Sequence, residues 1–238
     1  MMRLDKYVSQ GLGITRSQAR QLIRAKEITV EFKKHLHSDD AIDEIKDIVY
    51  YKGRKLDYLK YVYIMLNKPR GVLSATIDKK DPTVVDLIKE YQKYDLAMIG
   101  RLDKDTEGLF LLTNDGALVH RLTAPNKNVF KKYYVEVNGK WTAEDVIKFQ
   151  EGLEILDGKK NIFLTKPAKL EIISDFKAYV SISEGKYHQI KKMCLKVGKE
   201  VTYLKRIAIG KLQLDEKLPV GSYRLLTDEE IEILKSNE

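Results

Sequence analysis

The stretch Met98-Ile99-Gly100-Arg101-Leu102-Asp103-Lys104-Asp105-Thr106-Glu107-Gly108-Leu109, continuing through Leu112-Thr113-Asn114-Asp115-Gly116, decides how the rest of the chain is read. It leaves a strand-like run, crosses a polar loop with glycine at each end, and enters the apolar run Leu109-Phe110-Leu111-Leu112. A loop wedged between two strands can expose a carboxylate beside a cation. Arg101 and Asp103 stand two apart, so in extended backbone they share a side. Asp103 and Asp105 repeat that spacing, and paired carboxylates also suit a hard cation such as magnesium. The same residue types make ordinary turns, so the loop alone leaves these readings open.

Around this loop the chain alternates short strands and helices. Strands are expected at 62–66, 72–76, 109–113, 133–137, 169–173, 178–183, 201–204 and 211–214, where Val, Ile, Tyr and Leu concentrate. Helices are expected at 83–91, 115–122, 142–151, 187–197 and 228–235, with Thr83, Asn114, Thr142 and Thr227 as N-caps. Strands that follow one another with few helices between them predict an α+β domain on an extended, mainly antiparallel mixed sheet.

A polar, turn-rich break at Gly53–Tyr58 separates a smaller front segment, so the expected division is 1–58 and 59–238. The front segment reads as helical and hairpin-like. Thr15, with Gln18 three residues on, has the form of a capping box. Ala19, Leu22 and Ile23 form one apolar stripe after it. Arg16, Arg20 and Arg24 recur every four residues on another face, a ladder suited either to phosphates or to plain solvation.

The whole chain of 238 residues carries a net charge of +8. Residues 1–60 hold 13 Lys/Arg against 9 Asp/Glu, so half of the excess lies in the first quarter. That marks the front segment as an electrostatic docking surface for a polyanion. Mean hydropathy is −0.37, and no apolar run approaches the roughly 20 residues of a membrane span. The opening Met1–Lys6 has no apolar signal core. A cytoplasmic protein with no membrane partner is expected. One cysteine, Cys194, excludes an internal disulfide and a multi-cysteine zinc site.

Three further clusters carry chemistry. Leu66-Asn67-Lys68-Pro69-Arg70-Gly71 is a basic turn after a strand. Lys131-Lys132-Tyr133-Tyr134-Val135 places Lys132 and Tyr134 on one face and Tyr133 on the other. One tyrosine belongs in the core, and the other is free to stack on a base. Ser183-Glu184-Gly185-Lys186-Tyr187-His188-Gln189-Ile190-Lys191-Lys192-Met193 turns into a lysine-rich helix. His188 is an acid/base candidate by type alone. No Walker loop, zinc spacing or dinucleotide fingerprint appears.

Taken in order, these clusters resemble the pseudouridine synthases over nearly the whole chain. The likeness is to the RsuA type, the branch that modifies the small ribosomal subunit. Residues 1–60, opening with Arg3-Leu4-Asp5-Lys6-Tyr7-Val8, look like the S4-like RNA-binding module of a small-subunit ribosomal protein. That module usually turns through a Val-x-Val-Asn-Gly-like sequence. Here Ile28-Thr29-Val30-Glu31-Phe32-Lys33-Lys34 stands in its place, so a different hairpin is expected. Tyr187-His188-Gln189, Leu164–Ala168 and His120–Pro125 resemble the small-subunit branch.

The resemblance implies isomerisation of a uridine to pseudouridine in 16S rRNA, at the uridine conventionally numbered 516. It implies a monomer acting on a small-subunit assembly particle, with no cofactor and no metal. It makes Asp103 the catalytic carboxylate, Lys191 its basic partner and Tyr134 the tyrosine against the uracil. Arg101 holds the flipped nucleotide and Ile190 lines the pocket. Lys68 and Lys132 are assigned to substrate binding, and Arg3, Arg16, Arg20 and Arg24 to RNA docking. The alternatives are a 23S rRNA synthase, a non-catalytic ribosome-associated factor, and a metal enzyme using Asp103 and Asp105.

Overall fold

The computed structural model describes residues 1–124, 127–159 and 161–236. Pro125, the end of the branch-like stretch His120–Pro125, lies outside them. The chain forms two compact units, Met1–Val62 with Lys89–Leu96, and Tyr63–Ile88 with Ala97–Glu238.

In the first unit the order is β1 (Met2–Arg3), α1 (Leu4–Leu12), α2 (Arg16–Arg24), β2 (Ile28–Val30), β3 (Ala41–Ile42), β4 (Val49–Tyr51) and β5 (Arg54–Lys55). Strands β2, β4 and β5 form one antiparallel sheet, and β1 pairs with β3. The capping box at α2 forms: Gln18 N–H donates to Thr15 Oγ1 at 3.2 Å and Thr15 N–H to Gln18 Oε1 at 2.9 Å. Leu4, Val8, Ala19, Ile23, Ile28 and Val49 fill the core, which places the α2 apolar stripe inward.

Asp5 sits in this unit with no exposed surface. Arg3, Arg16 and Arg20 converge on it at 3.2, 2.7 and 2.9 Å. Burial alone would push its carboxyl up, but the three guanidinium hydrogen bonds hold it well below the usual carboxylate range. Three of the four arginines expected to dock RNA are thus first of all a structural clamp, although each keeps about half of its side chain exposed. Arg24 is exposed and makes no ion pair among the described residues. The atypical hairpin turns at Val30–Lys33, where Lys33 N–H donates to Val30 O. Phe32 stands at its tip, 98% exposed and at φ 63°. A non-glycine residue in that left-handed region is uncommon.

The second unit contains β6 (Tyr63–Lys68), β7 (Ala97–Met98), β8 (Glu107–Thr113), α3 (Gly116–Thr123), β9 (Lys131–Val137), α4 (Ala143–Glu151), β10 (Glu154–Leu156), β11 (Ile162–Leu164), β12 (Lys169–Ser174) and β13 (Lys177–Ile182). There follow α5 (Gln189–Lys196), β14 (Val201–Ile209), β15 (Leu212–Gln213), β16 (Tyr223–Leu225) and α6 (Asp228–Lys235). One large sheet runs β12-β13-β9-β14-β8-β6-β16, with β15 on β14 and β7 on β8. Every pairing in it is antiparallel except β14 with β8, so the expected mixed α+β sheet forms. Strands β6 and β8 are buried along most of their length, which explains their continuous apolar runs.

Thr142 and Thr227 cap α4 and α6 in capping boxes as expected. At α3 the cap is Asp115 rather than Asn114, because the Asp115 carboxylate takes the Ala117 and Leu118 N–H groups. The stretches 72–76 and 83–91 differ from expectation. The first makes only a bridge, Leu73 to Thr83. In the second, the Asp86 carboxylate takes the Thr83 N–H, and Val84 N–H donates across to Leu73 O. Those two backbone donors are pinned outside a helical ladder, and only the end of the stretch winds, as a 3-10 helix at Lys89–Tyr91. Val84 and Ile88, four apart as on a helix face, are buried without one.

Candidate active site

The loop from Gly100 to Thr106 leaves β7 and returns into β8, and its backbone is tied down from several sides. Ser74 Oγ donates to Leu102 O at 2.6 Å and accepts from Leu102 N–H at 3.0 Å. Gly71 N–H donates to Lys104 O at 2.8 Å. Arg70 Nε donates to Asp105 O at 3.0 Å while its guanidinium lies over the Tyr203 ring. Beneath the loop, Lys68 Nζ reaches the carbonyls of Pro69, Asp103, Lys104 and Thr106 at 3.0 to 3.4 Å. At the loop's end Gly108 has φ +102°, and a Cβ there would fall 2.2 Å from Arg206 O. Only glycine lets β8 approach β14 so closely.

Lys68 therefore corrects its assignment. It is fully buried and offers nothing to a substrate directly. Burial pushes its ammonium down to about 8, against the pull of Asp105, Asp103 and Glu107. Its role is to hold the loop.

Asp103 faces a cleft of about 610 Å³ and an adjoining recess of about 70 Å³, and lines both. Lys191, from α5, places Nζ 3.1 Å from Asp103 Oδ2 and 2.6 Å from Asp105 Oδ1. The pairing of Asp103 with Lys191 expected from sequence is present, and Asp105 joins it. Burial disfavours the Lys191 ammonium, but its hydrogen bonds to Asp105 and Asp103 outweigh that and raise it above the usual lysine value. Burial likewise opposes the Asp105 carboxylate, yet the same ammonium holds it below its ordinary value.

His188 Nε2 lies 3.7 Å from Asp103 Oδ1, too long for a hydrogen bond. It caps α5 at φ 54° and stacks on Tyr187 with ring centroids 3.8 Å apart. Sequence reasoning left it without a partner, because Asp103 is 85 residues away in the chain. Ile190, 4% exposed, lines the recess, and Arg101 is exposed at the cleft.

Strand β9 corrects the tyrosine. Tyr133, not Tyr134, lines both cavities with Asp103. Tyr134 points to the other side of the sheet, where its hydroxyl donates to Glu136 at 2.6 Å and its ring meets Tyr179 and Tyr203 edge-on. The same alternation moves the lysine. Lys131 lines the cleft, whereas Lys132 pairs with Glu171 at 3.0 Å over the Tyr179 ring. One step along a strand exchanges the faces of all four residues. Arg206, 2% exposed, is another cleft residue that the sequence reading passed over.

Among the described residues no three His, Cys, Asp or Glu side chains converge as a metal would need. The Asp103–Asp105 pair already shares the Lys191 ammonium as its counter-charge. Cys194 is buried in α5, and burial pushes its thiol up to about 12, away from thiolate chemistry. No helix among the described residues is long and apolar enough to cross a membrane.

Known proteins are similar to this chain over nearly its whole length. The family model described as RNA pseudouridylate synthase matches residues 62–196, and the S4 domain model matches residues 2–34. An uncharacterized RNA pseudouridine synthase of Bacillus subtilis is 42% identical over 98% of each chain. The ribosomal small subunit pseudouridine synthase A of Vibrio cholerae is 40% identical over 97% of this chain and 98% of its own. Its Escherichia coli namesake is 38% identical with the same coverage. A crystal structure of a pseudouridylate synthase, 37% identical, superposes with a TM-score of 0.68 over 98% of this chain and all of the other. With a carboxylate-bearing loop held over a cleft and an S4 domain ahead of it, the chain belongs to the RNA pseudouridine synthase family.

Proposed function

We propose that this chain isomerises one uridine of 16S rRNA to pseudouridine, at the position conventionally numbered 516, within a small-subunit assembly particle. It works as a monomer in the cytoplasm and needs no cofactor. The observation that carries the reading is Asp103 on a rigid loop, 3.1 Å from Lys191, facing a recess lined by Tyr133 and Ile190. The small-subunit names of the relatives support the choice of RNA.

The target base is stacked in folded RNA and must be extruded into the site, at a cost of about a few kcal/mol. Arg101, exposed at the cleft, is placed to hold the strand while the base is out. In the recess, uracil lies between Tyr133 and Ile190 with C1′ toward Asp103. The carboxylate then either traps the oxocarbenium-like sugar as the N1–C1′ bond breaks, or removes a sugar proton to give a glycal. The freed uracil turns and C5 bonds to C1′, displacing the Asp103 carboxylate from the sugar or, in the glycal route, with the sugar proton returned; the C5 proton then leaves and N1 takes up a proton. Tyr133 is the group against the base that can move this proton. The first unit docks the RNA through Arg24 and the exposed parts of Arg3, Arg16 and Arg20.

The test maps pseudouridines in rRNA from cells with the wild-type chain, without it, and with Asp103→Asn. The expected result is one 16S pseudouridine that disappears in the last two, while purified Asp103→Asn still binds RNA. Loss of a 23S site instead would move the substrate to the large subunit. An unchanged map would leave an RNA-binding factor.

A further inference from the structure

We propose that Lys131 and Arg206 form a phosphate-binding subsite in the large cleft, taking a phosphodiester group of the nucleotide whose base enters the recess. This rests on the reading that a uridine is the substrate. It adds a contact made by neither Asp103 nor the base pocket.

Arg206 lies within β14 and is 2% exposed. Its Nε donates to Leu109 O at 2.8 Å. Its Nη2 is buried and has no hydrogen-bond partner. The guanidinium lies against the start of the catalytic loop, since a Cβ on Gly100 would stand 3.8 Å from Arg206 Nη1. Lys131, on the neighbouring strand β9, lines the same cleft. No hydrogen bond or ion pair joins its ammonium to another described residue. Burial pushes that ammonium down to about 8, with Arg206 and Lys166 adding repulsion.

The carboxylates of the cleft are committed elsewhere. Asp103 faces Lys191, and Glu184 accepts from Lys166 N–H at 2.9 Å and from Gln189 Nε2 at 2.8 Å. Two neighbouring cations, one with a buried N–H left unmade, destabilise a free protein. An anion placed between them relieves both costs. A phosphodiester fits because its two non-bridging oxygens can accept from a guanidinium and an ammonium together. Its distance from the chemistry also fits. The recess and the cleft share Arg101, Asp103 and Tyr133, so a nucleotide with its base in the recess lays its backbone in the cleft.

The experiment measures binding of uridine, uridine 5′-monophosphate, uridine 3′-monophosphate and inorganic phosphate to the full chain by NMR titration. Wild type, Lys131→Met and Lys131→Arg are compared, with thermal unfolding of each. Wild type is expected to bind one of the monophosphates about tenfold or more tightly than uridine. Lys131→Met should bring that ratio to within about twofold without lowering the melting temperature, and Lys131→Arg should restore it. Equal binding of uridine and both monophosphates overturns the proposal, as does no binding by any of them. So does a Lys131→Met ratio equal to wild type. Inorganic phosphate binding as tightly as the better monophosphate overturns the nucleotide assignment. None of these readouts requires turnover or depends on which rRNA is modified, so they stand apart from the 16S test.

Discussion

Two neighbouring tyrosines separate the chemistry of the cleft from the stability of the sheet. Tyr133→Phe removes a hydroxyl that makes no hydrogen bond to a described residue, from a ring 8% exposed. With no partner to lose and the ring volume kept, stability should change by less than about 0.5 kcal/mol. If that hydroxyl moves the C5 proton, the rate should fall by about 10²-fold or more. Tyr134→Phe does the reverse. It removes the 2.6 Å hydrogen bond to Glu136, a partly exposed pair worth about 1 kcal/mol. The edge-on contacts to Tyr179 and Tyr203, at 6.1 and 6.0 Å, survive in phenylalanine. Its rate should stay within about twofold of wild type, because its ring lies on the far side of the sheet. The assay is single-turnover release of label from C5-tritiated uridine in a 16S transcript, alongside urea unfolding of each variant. A slow Tyr134→Phe beside a normal Tyr133→Phe would refute the placement of the site on the Tyr133 face.

Lys68→Met keeps the buried stem but strips the donor from the loop carbonyls, so it should destabilise by about 2–4 kcal/mol and cut turnover more than RNA affinity. Unchanged unfolding and turnover would show that the loop holds itself. Asp5→Asn should cost about 2–3 kcal/mol at pH 7, since three guanidinium groups lose their common carboxylate. The folded Asp5 carboxyl titrates below its unfolded value near 3.8, so its stabilisation is complete above that value and drains away as pH falls below it. Urea unfolding at pH 7 and at about pH 3, below the unfolded value, should therefore show the gap between wild type and Asp5→Asn narrowing in acid. A constant gap would mean that the carboxylate charge is irrelevant.

The sheet was legible because β6 and β8 read as unbroken apolar runs, and α2, α4 and α6 because threonine caps announce them. The tyrosine was harder. Alternation correctly put Tyr133 and Tyr134 on opposite faces, but the core face was assumed to be closed to substrate. In fact the cleft opens on the core side of β9, so the more buried ring is the one at the site. Lys68 misled for a related reason. A lysine in a basic turn looks like a phosphate contact, and nothing local reveals that carbonyls 35 to 38 residues away will surround it. The arginine ladder was visible, yet its anchor Asp5 belongs to the preceding helix and meets it only after folding. Periodicity reports faces; it does not report which face is hollow or which distant group fills it.

The division between held and free parts of the site follows the proposed reaction. Isomerisation requires the uracil to leave C1′, turn and return, while the carboxylate stays within bonding reach of the sugar. Motion must therefore belong to the base, and rigidity to the loop. The contacts distribute in that way. Leu102 is gripped at both backbone N–H and O by Ser74, and the Asp103, Lys104 and Thr106 carbonyls are taken by Lys68. Among the described residues the Asp103 side chain meets only Lys191 at close range, with His188 just beyond hydrogen-bond distance. Arg101, two residues before Asp103 on the same loop, is exposed and makes no ion pair within the described residues. A backbone fixed directly after a free guanidinium lets Arg101 follow the RNA without displacing Asp103. The carboxylate's position is then set by protein contacts before the RNA arrives, and the energy of RNA binding remains for extruding the base.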